Sequence, residues 1–313
     1  MNLSPHSRSH QFGLALEAEF ARQSQRAPLQ EIPLFRALHS SIVSLAPKFP
    51  VEELHGNRAQ VMFTAAPPWT KANARCELSD LCIVWFRNKP SPLARITFLQ
   101  AKLSKSQHSV CAAFNGRISE TFVGDSTQWH LLHRRPGILP CFSTFDPPPN
   151  LLKNALLPSV GSFCVFHALA RRTYSFFYAS ADVITCSKLT KPGKAKLTAA
   201  TNQAVVVARG YQEQKWTCCP YTFGVALFQG LIGTPIDRKD IASTRDEMHR
   251  EEVRHWVASC LATAIRQQQA LGPTVASFLQ TMDLPIVDDH FSEVPGRAMI
   301  FIRGDDEEVR EGE

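Results

Sequence analysis

Long apolar runs are missing from this sequence: none of its 313 residues lies in a stretch of about 18 consecutive apolar positions, the length that crosses a bilayer. The first eight residues, Met1-Asn2-Leu3-Ser4-Pro5-His6-Ser7-Arg8, lack the apolar segment of a secretory signal. Together these absences lead us to expect a cytoplasmic protein without a membrane partner. The nine cysteines form no Cys-x-x-Cys pair, which excludes zinc-ribbon and dithiol redox motifs. Their odd number and irregular spacing read as buried thiols in a reducing compartment. No Walker A loop, no Gly-x-Gly-x-x-Gly turn and no Gly-x-Ser-x-Gly elbow occurs, so nucleotide motors and serine hydrolases have no support. His249 and His255 are six apart, the wrong spacing for a helical metal-binding pair.

Acidic residues are scarce in the middle of the chain. Residues 71–200 carry 17 Lys and Arg against 6 Asp and Glu, a surplus of +11, whereas 235–313 carry 9 against 16, a balance of −7. The whole chain is +6. A basic field confined to one stretch suits a polyanion such as nucleic acid better than it suits a small neutral substrate.

Hydrophobic periodicity gives the coarse organisation. Phe12, Leu16 and Phe20 form a helical stripe over 11–24, and Pro33 opens a second helix carrying Leu34, Leu38 and Ile42. Val61-Met62-Phe63 is a short strand before Pro67-Pro68, and two apolar strands follow at about 78–86 and 94–103. A segment with Asn115-Gly116 leads to a short helix at 125–134, which Pro136-Gly137 halts. Residues 162–167 and 173–178 form a second hairpin turning at Arg171-Arg172. Lys188 to Lys196 reads as a basic loop, and 204–208 as a strand. Tyr221–Ile232 is a buried helix. A longer helix covers 244–270, with Thr244-x-x-Glu247 as its capping box and an apolar stripe from Val253 to Ile265. A last strand, 298–302, precedes the acidic tail Asp305-Asp306-Glu307-Glu308, which is expected to be mobile.

The 78–103 hairpin carries polar groups that apolar strands do not hold without a partner or a task. They are Asp80, Gln100 and Lys102. Asp80 and Gln100 are equidistant from Pro90 in the turn, so their side chains should lie opposite each other. Cross-strand neighbours are about 5 Å apart, and Lys102 shares a face with Gln100. Asp80 and Gln100 can then grip one hard cation between oxygens, with the Ala101 carbonyl as a third ligand and Lys102 beside the reacting phosphate.

An acidic residue on one strand, followed across a hairpin by an x-Lys motif, resembles the PD-(D/E)xK nuclease superfamily. Gln100-Ala101-Lys102 is similar to the Gln-x-Lys variant of its Mrr-like restriction endonucleases, although Ser79 stands where the signature has Pro. The resemblance implies an α/β fold of the restriction endonuclease type, a mixed central sheet flanked by helices. It would fill residues 1–210, with 211–313 a helical C-terminal extension. It further implies cleavage of DNA phosphodiester bonds with Mg²⁺ or Mn²⁺, catalysed by Asp80, Gln100 and Lys102, with Asp80 and Gln100 as metal ligands, in restriction or defence against foreign DNA. Double-strand cleavage suggests a homodimer or a partner subunit. Because Gln100 replaces an acid, another carboxylate is needed, and Glu17, Glu19, Glu52, Glu53 and Glu77 are its candidates. Two rivals remain: a catalytically inactive nucleic-acid-binding module, and a scaffold subunit that docks a partner through the 244–270 helix.

Overall fold

The computed structural model describes residues 7–56, 59–65, 73–107, 119–169, 173–201, 205–239, 241, 243–285 and 292–304. Helices α1 (Arg8–Ser24) and α2 (Glu31–Val43) come first. Strands β1 (Val51–His55), β2 (Gln60–Thr64) and β3 (Asn73–Glu77) lead to the hairpin β4 (Leu81–Arg87) and β5 (Leu93–Gln107). Next are β6 (Ser119–Asp125), α3 (Ser126–Arg134), β7 (Leu139–Pro140), β8 (Gly161–Ala168) and β9 (Tyr174–Ser180). The chain continues through β10 (Ile184–Lys191), β11 (Lys194–Ala200), β12 (Val205–Ala208), β13 (Tyr211–Gln214) and β14 (Trp216–Thr217). It ends with α4 (Pro220–Phe228), β15 (Thr234–Pro235), α5 (Thr244–Arg266), α6 (Pro273–Met282) and β16 (Ala298–Arg303).

The central sheet runs β1-β16-β4-β5-β8-β9-β14, with β15 also paired to β5. It is mixed: β16 lies parallel to β4 and β5 parallel to β8, while β4 and β5 are antiparallel. Helices flank both faces, as the sequence led us to expect. The reason is visible in β4, whose residues Leu81 to Phe86 are all buried. Cys82, Val84 and Phe86 join a core with Trp256 of α5 and Phe278 of α6. Leu81, Ile83 and Trp85 join a second core with Phe12 and Leu16 of α1 and Phe228 of α4. A strand buried on both sides reads as a continuous apolar run, not an alternation. Trp85 fixes the second layer by donating its indole N–H to the Phe228 carbonyl at 3.0 Å. Gly230, at φ 67°, passes so close that an added Cβ would stand 2.4 Å from that ring.

Several expectations need correction. Residues beyond 210 are not a helical addition beside the sheet: β14, β15 and β16 all lie in it, and β16 sits between β1 and β4. Its run Ala-Met-Ile-Phe-Ile is apolar at every position, so it requires cover on both faces. The apolar stripe of α5 is spent on the chain's own core, Val253, Trp256, Val257, Cys260 and Leu261 all being buried. The cap of α5 is Ser243, which accepts the Asp246 N–H at 3.2 Å, one residue before the expected Thr244. The helix α4 stops at Phe228, short of the expected Ile232, and α5 ends at Arg266, with Pro273 opening α6. Residues 188–196 form a hairpin rather than a loop, because Ala195, Leu197 and Ala199 alternate into the core. Strands β1, β3, β6, β7, β13, β14 and β15 were not foreseen.

Among the cysteines, 76, 82, 141, 164, 186, 219 and 260 are free thiols, while Cys218 is disulfide-bonded and departs from the all-thiol expectation. Among the described residues no helix is long and apolar enough to cross a membrane. The expected features at Pro67-Pro68, Asn115-Gly116, Arg171-Arg172 and the acidic tail fall outside the described residues.

Candidate functional site

The site forms where β4 stops and β5 runs on. The β4–β5 register pairs Leu81 with Leu99, so the next step sets Asp80 against Gln100, as the symmetric turn implied. Asp80 itself lies just before the strand rather than within it. Its backbone N–H donates to the Leu99 carbonyl at 3.0 Å, and its carbonyl accepts the Arg297 N–H at 3.0 Å. The second bond ties it to the approach to β16. Gly296, at φ 77°, makes that approach feasible: a Cβ there would stand 2.7 Å from the Ser79 carbonyl oxygen and 3.0 Å from that of Asp80.

Among the described residues no strand pairs with the β4 edge of β5 past Leu99, while β8 continues along the other edge. The backbone groups of Ala101 point to that open edge and need partners. The Asp80 Oδ2 accepts the Ala101 N–H at 2.8 Å. Lys102 folds its Nζ back to donate to the Ala101 carbonyl at 2.5 Å. That carbonyl, expected to be a third metal ligand, is therefore held by an ammonium. Lys102 Nζ also lies 3.5 Å from Glu31 Oε1, at the first residue of α2. Gln100 is fully buried; its Nε2 donates to the Glu77 carbonyl at 3.2 Å, and its Oε1 has no hydrogen-bond partner among the described residues. Leaving a buried amide oxygen unpaired costs about 1–3 kcal/mol.

Thus Asp80, Gln100 and Lys102 converge, and a fourth group, Glu31, joins them. The three predicted residues are buried, at 9%, 0% and 5% exposure, whereas the Glu31 side chain is 44% exposed and links the cluster to solvent. Burial pushes the nearby Cys76 thiol up, helped by Asp125 and Glu77 and opposed by Lys102. The Cys164 thiol, deep in the sheet, is also raised by burial and further by the Asp80 charge. Neither thiol is a ready nucleophile.

The glutamates expected to complete the site have other occupations. Glu52 accepts backbone N–H groups of Gly272 and Val275 and so caps α6. Glu53 lies 2.7 Å from His39 and 3.2 Å from His55. Burial raises its carboxyl, but the two histidines outweigh burial and hold it below the usual range. Glu19 pairs with Arg22 on α1 at 2.7 Å. Glu17 is on α1, its carboxyl raised by burial. Glu77 ends β3, and its backbone carbonyl accepts from Gln100. Glu31 was missed because an acid in the first turn of a helix reads as a partner for the helix dipole. Its place on the helix just before β1 was the available signal.

All donors at the corner are oxygens, and the orphaned Gln100 Oε1 fits a hard cation such as Mg²⁺ or Mn²⁺. Among the described residues no group of three or more His, Cys, Asp or Glu is arranged to hold a metal, so the fit rests on carboxylate plus amide with water completing the shell. Set against known family models, curated proteins and solved structures, the chain matches none.

Proposed function

We propose that the chain is a divalent-metal-dependent nuclease acting on DNA, with its reaction at the open corner of β5. The observation that carries this reading is the arrival of Glu31 at 3.5 Å from Lys102, on the strand whose Ala101 N–H is held by Asp80 and whose Gln100 oxygen has no partner among the described residues. It supplies the carboxylate that Gln100 withholds. The β4–β5 hairpin with strand β8 parallel to β5, in a mixed sheet flanked by helices as the resemblance implies, supports the same reading.

In this proposal Asp80 and Gln100 Oε1 hold the cation, and Glu31 adds charge from the solvent side. Mg²⁺ or Mn²⁺ at such a site offsets phosphate charge and makes bound water more acidic. Lys102 exchanges the Ala101 carbonyl for the phosphate, stabilising the charge that develops on it. With the ammonium turned away, the Ala101 carbonyl oxygen would be available as a third ligand. Glu31 orients Lys102 through its contact and tethers it near the surface. A role in restriction or defence, acting as a homodimer or with a partner subunit, is the biological setting we propose.

The test is cleavage of supercoiled, linear and single-stranded DNA with and without Mg²⁺ or Mn²⁺. Asp80→Ala and Lys102→Ala should abolish cutting while circular dichroism remains native and stability falls by no more than about 1–3 kcal/mol, the cost of one unpaired Ala101 backbone group. No cleavage of any of these by the wild-type protein counts against the proposal. A second reading, a nucleic-acid-binding module without chemistry, draws on the depth of the cluster, with Gln100 fully buried and Lys102 nearly so. It predicts salt-sensitive binding that survives Asp80→Ala and no cleavage at all.

A further inference from the structure

The hairpin β10–β11 carries a feature that sheet stability does not explain. Its register sets Lys188 opposite Lys196 and Lys191 opposite Lys194. Residues directly opposite each other share a face, and Lys194 and Lys196 share one because they differ by two. All four ammonium groups therefore stand on one side, and all four residues are exposed. The other side of β11, Ala195, Leu197 and Ala199, is fully buried in the core. Like charges placed directly across a ladder destabilise it. Lysines also guard the free edges of sheets against aggregation. That explains Lys188 and Lys191 on the edge strand β10, but not Lys194 and Lys196 on β11, which lies between β10 and β6.

The rest of this face is neutral or committed. Thr121, Val123 and Asp125 of β6 lie opposite Thr198, Lys196 and Lys194. Asp125 Oδ1 caps α3, accepting from Thr127 at 2.8 Å and Gln128 at 3.2 Å, and its Oδ2 is 3.8 Å from Lys194. No aromatic side chain stands on the described part of the face, so it lacks the stacking platform that single strands require. Lysines without aromatics match a phosphate backbone. The face also adjoins the corner: Ser104 Oγ, two residues beyond Lys102 on β5, donates to the Thr121 carbonyl of β6 at 3.2 Å. From β6 to β10 is two strand spacings, about 10 Å.

We propose that the lysine face of β10–β11 is a docking track for the phosphate backbone of double-stranded DNA, aligning a duplex with the corner at Asp80. Its role as an aligning track rests on the nuclease reading; its role as a duplex-binding surface does not. Binding of a short mixed-sequence duplex is measured by fluorescence anisotropy in EDTA across a salt series, so that no cleavage is involved. The variants are Lys188→Gln/Lys191→Gln/Lys194→Gln/Lys196→Gln and the matching quadruple Arg change. The Gln variant should bind roughly 100-fold more weakly at about 0.15 M salt, with a slope of log K against log salt shallower by about 2–4, near 0.9 per lost phosphate contact. The Arg variant should bind like wild type. Unchanged affinity and slope in the Gln variant overturns the proposal, including the case where that variant aggregates and so reveals edge protection alone. Equal losses in both variants, or tighter wild-type binding to the single strand than to the duplex, also overturn it. Wild-type cleavage with an unaffected Gln variant leaves the nuclease reading standing without this track. Lost Gln binding with a wild type that never cleaves leaves the track standing without the nuclease.

Discussion

Two carboxylates perform the same backbone task at opposite ends of the β4–β5 ladder, in contrasting surroundings. At one end Asp237 Oδ2 accepts the Ala94 N–H at 3.2 Å, and at the other Asp80 Oδ2 accepts that of Ala101 at 2.8 Å. Asp237 sits in a sealed network. Its partner Arg250 is 3.6 Å away and also holds Asp246 at 2.8 Å, the Lys239 carbonyl at 2.7 Å and the Tyr211 hydroxyl at 3.2 Å. Asp237 and Arg250 are each 1% exposed. At the Asp80 end the cation, Lys102, meets a carboxylate that faces water, and an amide oxygen is left without a partner. The comparison teaches that a buried carboxylate on a strand edge is not by itself a sign of chemistry. What separates the two ends is an unpaired ligand atom and a connection to solvent.

The largest effect that sharpens this contrast concerns the sealed end. Asp237→Ala leaves the Ala94 and Lys239 N–H groups without their acceptor and Arg250 with Asp246 as its remaining carboxylate, and chemical denaturation should report a loss of about 1–3 kcal/mol for each unpaired buried group. Whatever fraction remains folded should cleave at the wild-type rate. At the open end the balance reverses. Asp80→Asn keeps an oxygen for the Ala101 N–H, so it should cost only about 1 kcal/mol in the same experiment, yet cleavage should vanish. Should Asp80→Asn unfold the protein as Asp237→Ala does, the two ends are alike and the distinction fails.

Acid should probe the sealed end next. Burial lowers the imidazole pKa of His249, on α5 next to Arg250, to about 4, with Asp246 opposing and Arg250 and Arg245 assisting. Its ordinary value is 6.5. Between those values the unfolded chain binds more protons than the native one, so this group makes stability fall as pH drops from about 6.5 towards 4. Burial shifts Asp237 the other way, raising its carboxyl against the pull of its backbone bonds and of Arg250, which softens the net slope. Melting curves from pH 7 to 5 should show a falling midpoint in wild type and a flatter profile in His249→Gln. The smallest stability effect belongs to Glu31→Gln, an exposed position where about 0.5 kcal/mol or less is at stake. Its cleavage rate should still drop roughly 10–100-fold, as when a group supporting a metal site is removed.

The hairpin register was legible because it depends on one symmetry: residues equidistant from a turn pair across it, and Asp80 with Gln100 obeyed that. The continuous apolar run of β4 likewise announced a strand covered on both faces. Other features needed tertiary information. Glu31 reaches Lys102 only because α2 packs over the sheet, and nothing local joins residues 71 apart. The place of β16 between β1 and β4 follows from which edges remain unpaired, which no local pattern records. The basic segment 188–196 hid its strands because lysines and a Pro-Gly turn mask the alternation of Ala195, Leu197 and Ala199.

Manganese binding tests the distinction between the two ends most directly. Electron paramagnetic resonance titration of wild type, Asp80→Asn and Glu31→Gln reads metal occupancy without requiring turnover. The open corner predicts one Mn²⁺ per wild-type chain, no binding in Asp80→Asn and weaker binding in Glu31→Gln. Wild-type protein that binds no Mn²⁺, or an Asp80→Asn variant that binds it as wild type does, would contradict the assignment of this corner as a metal site.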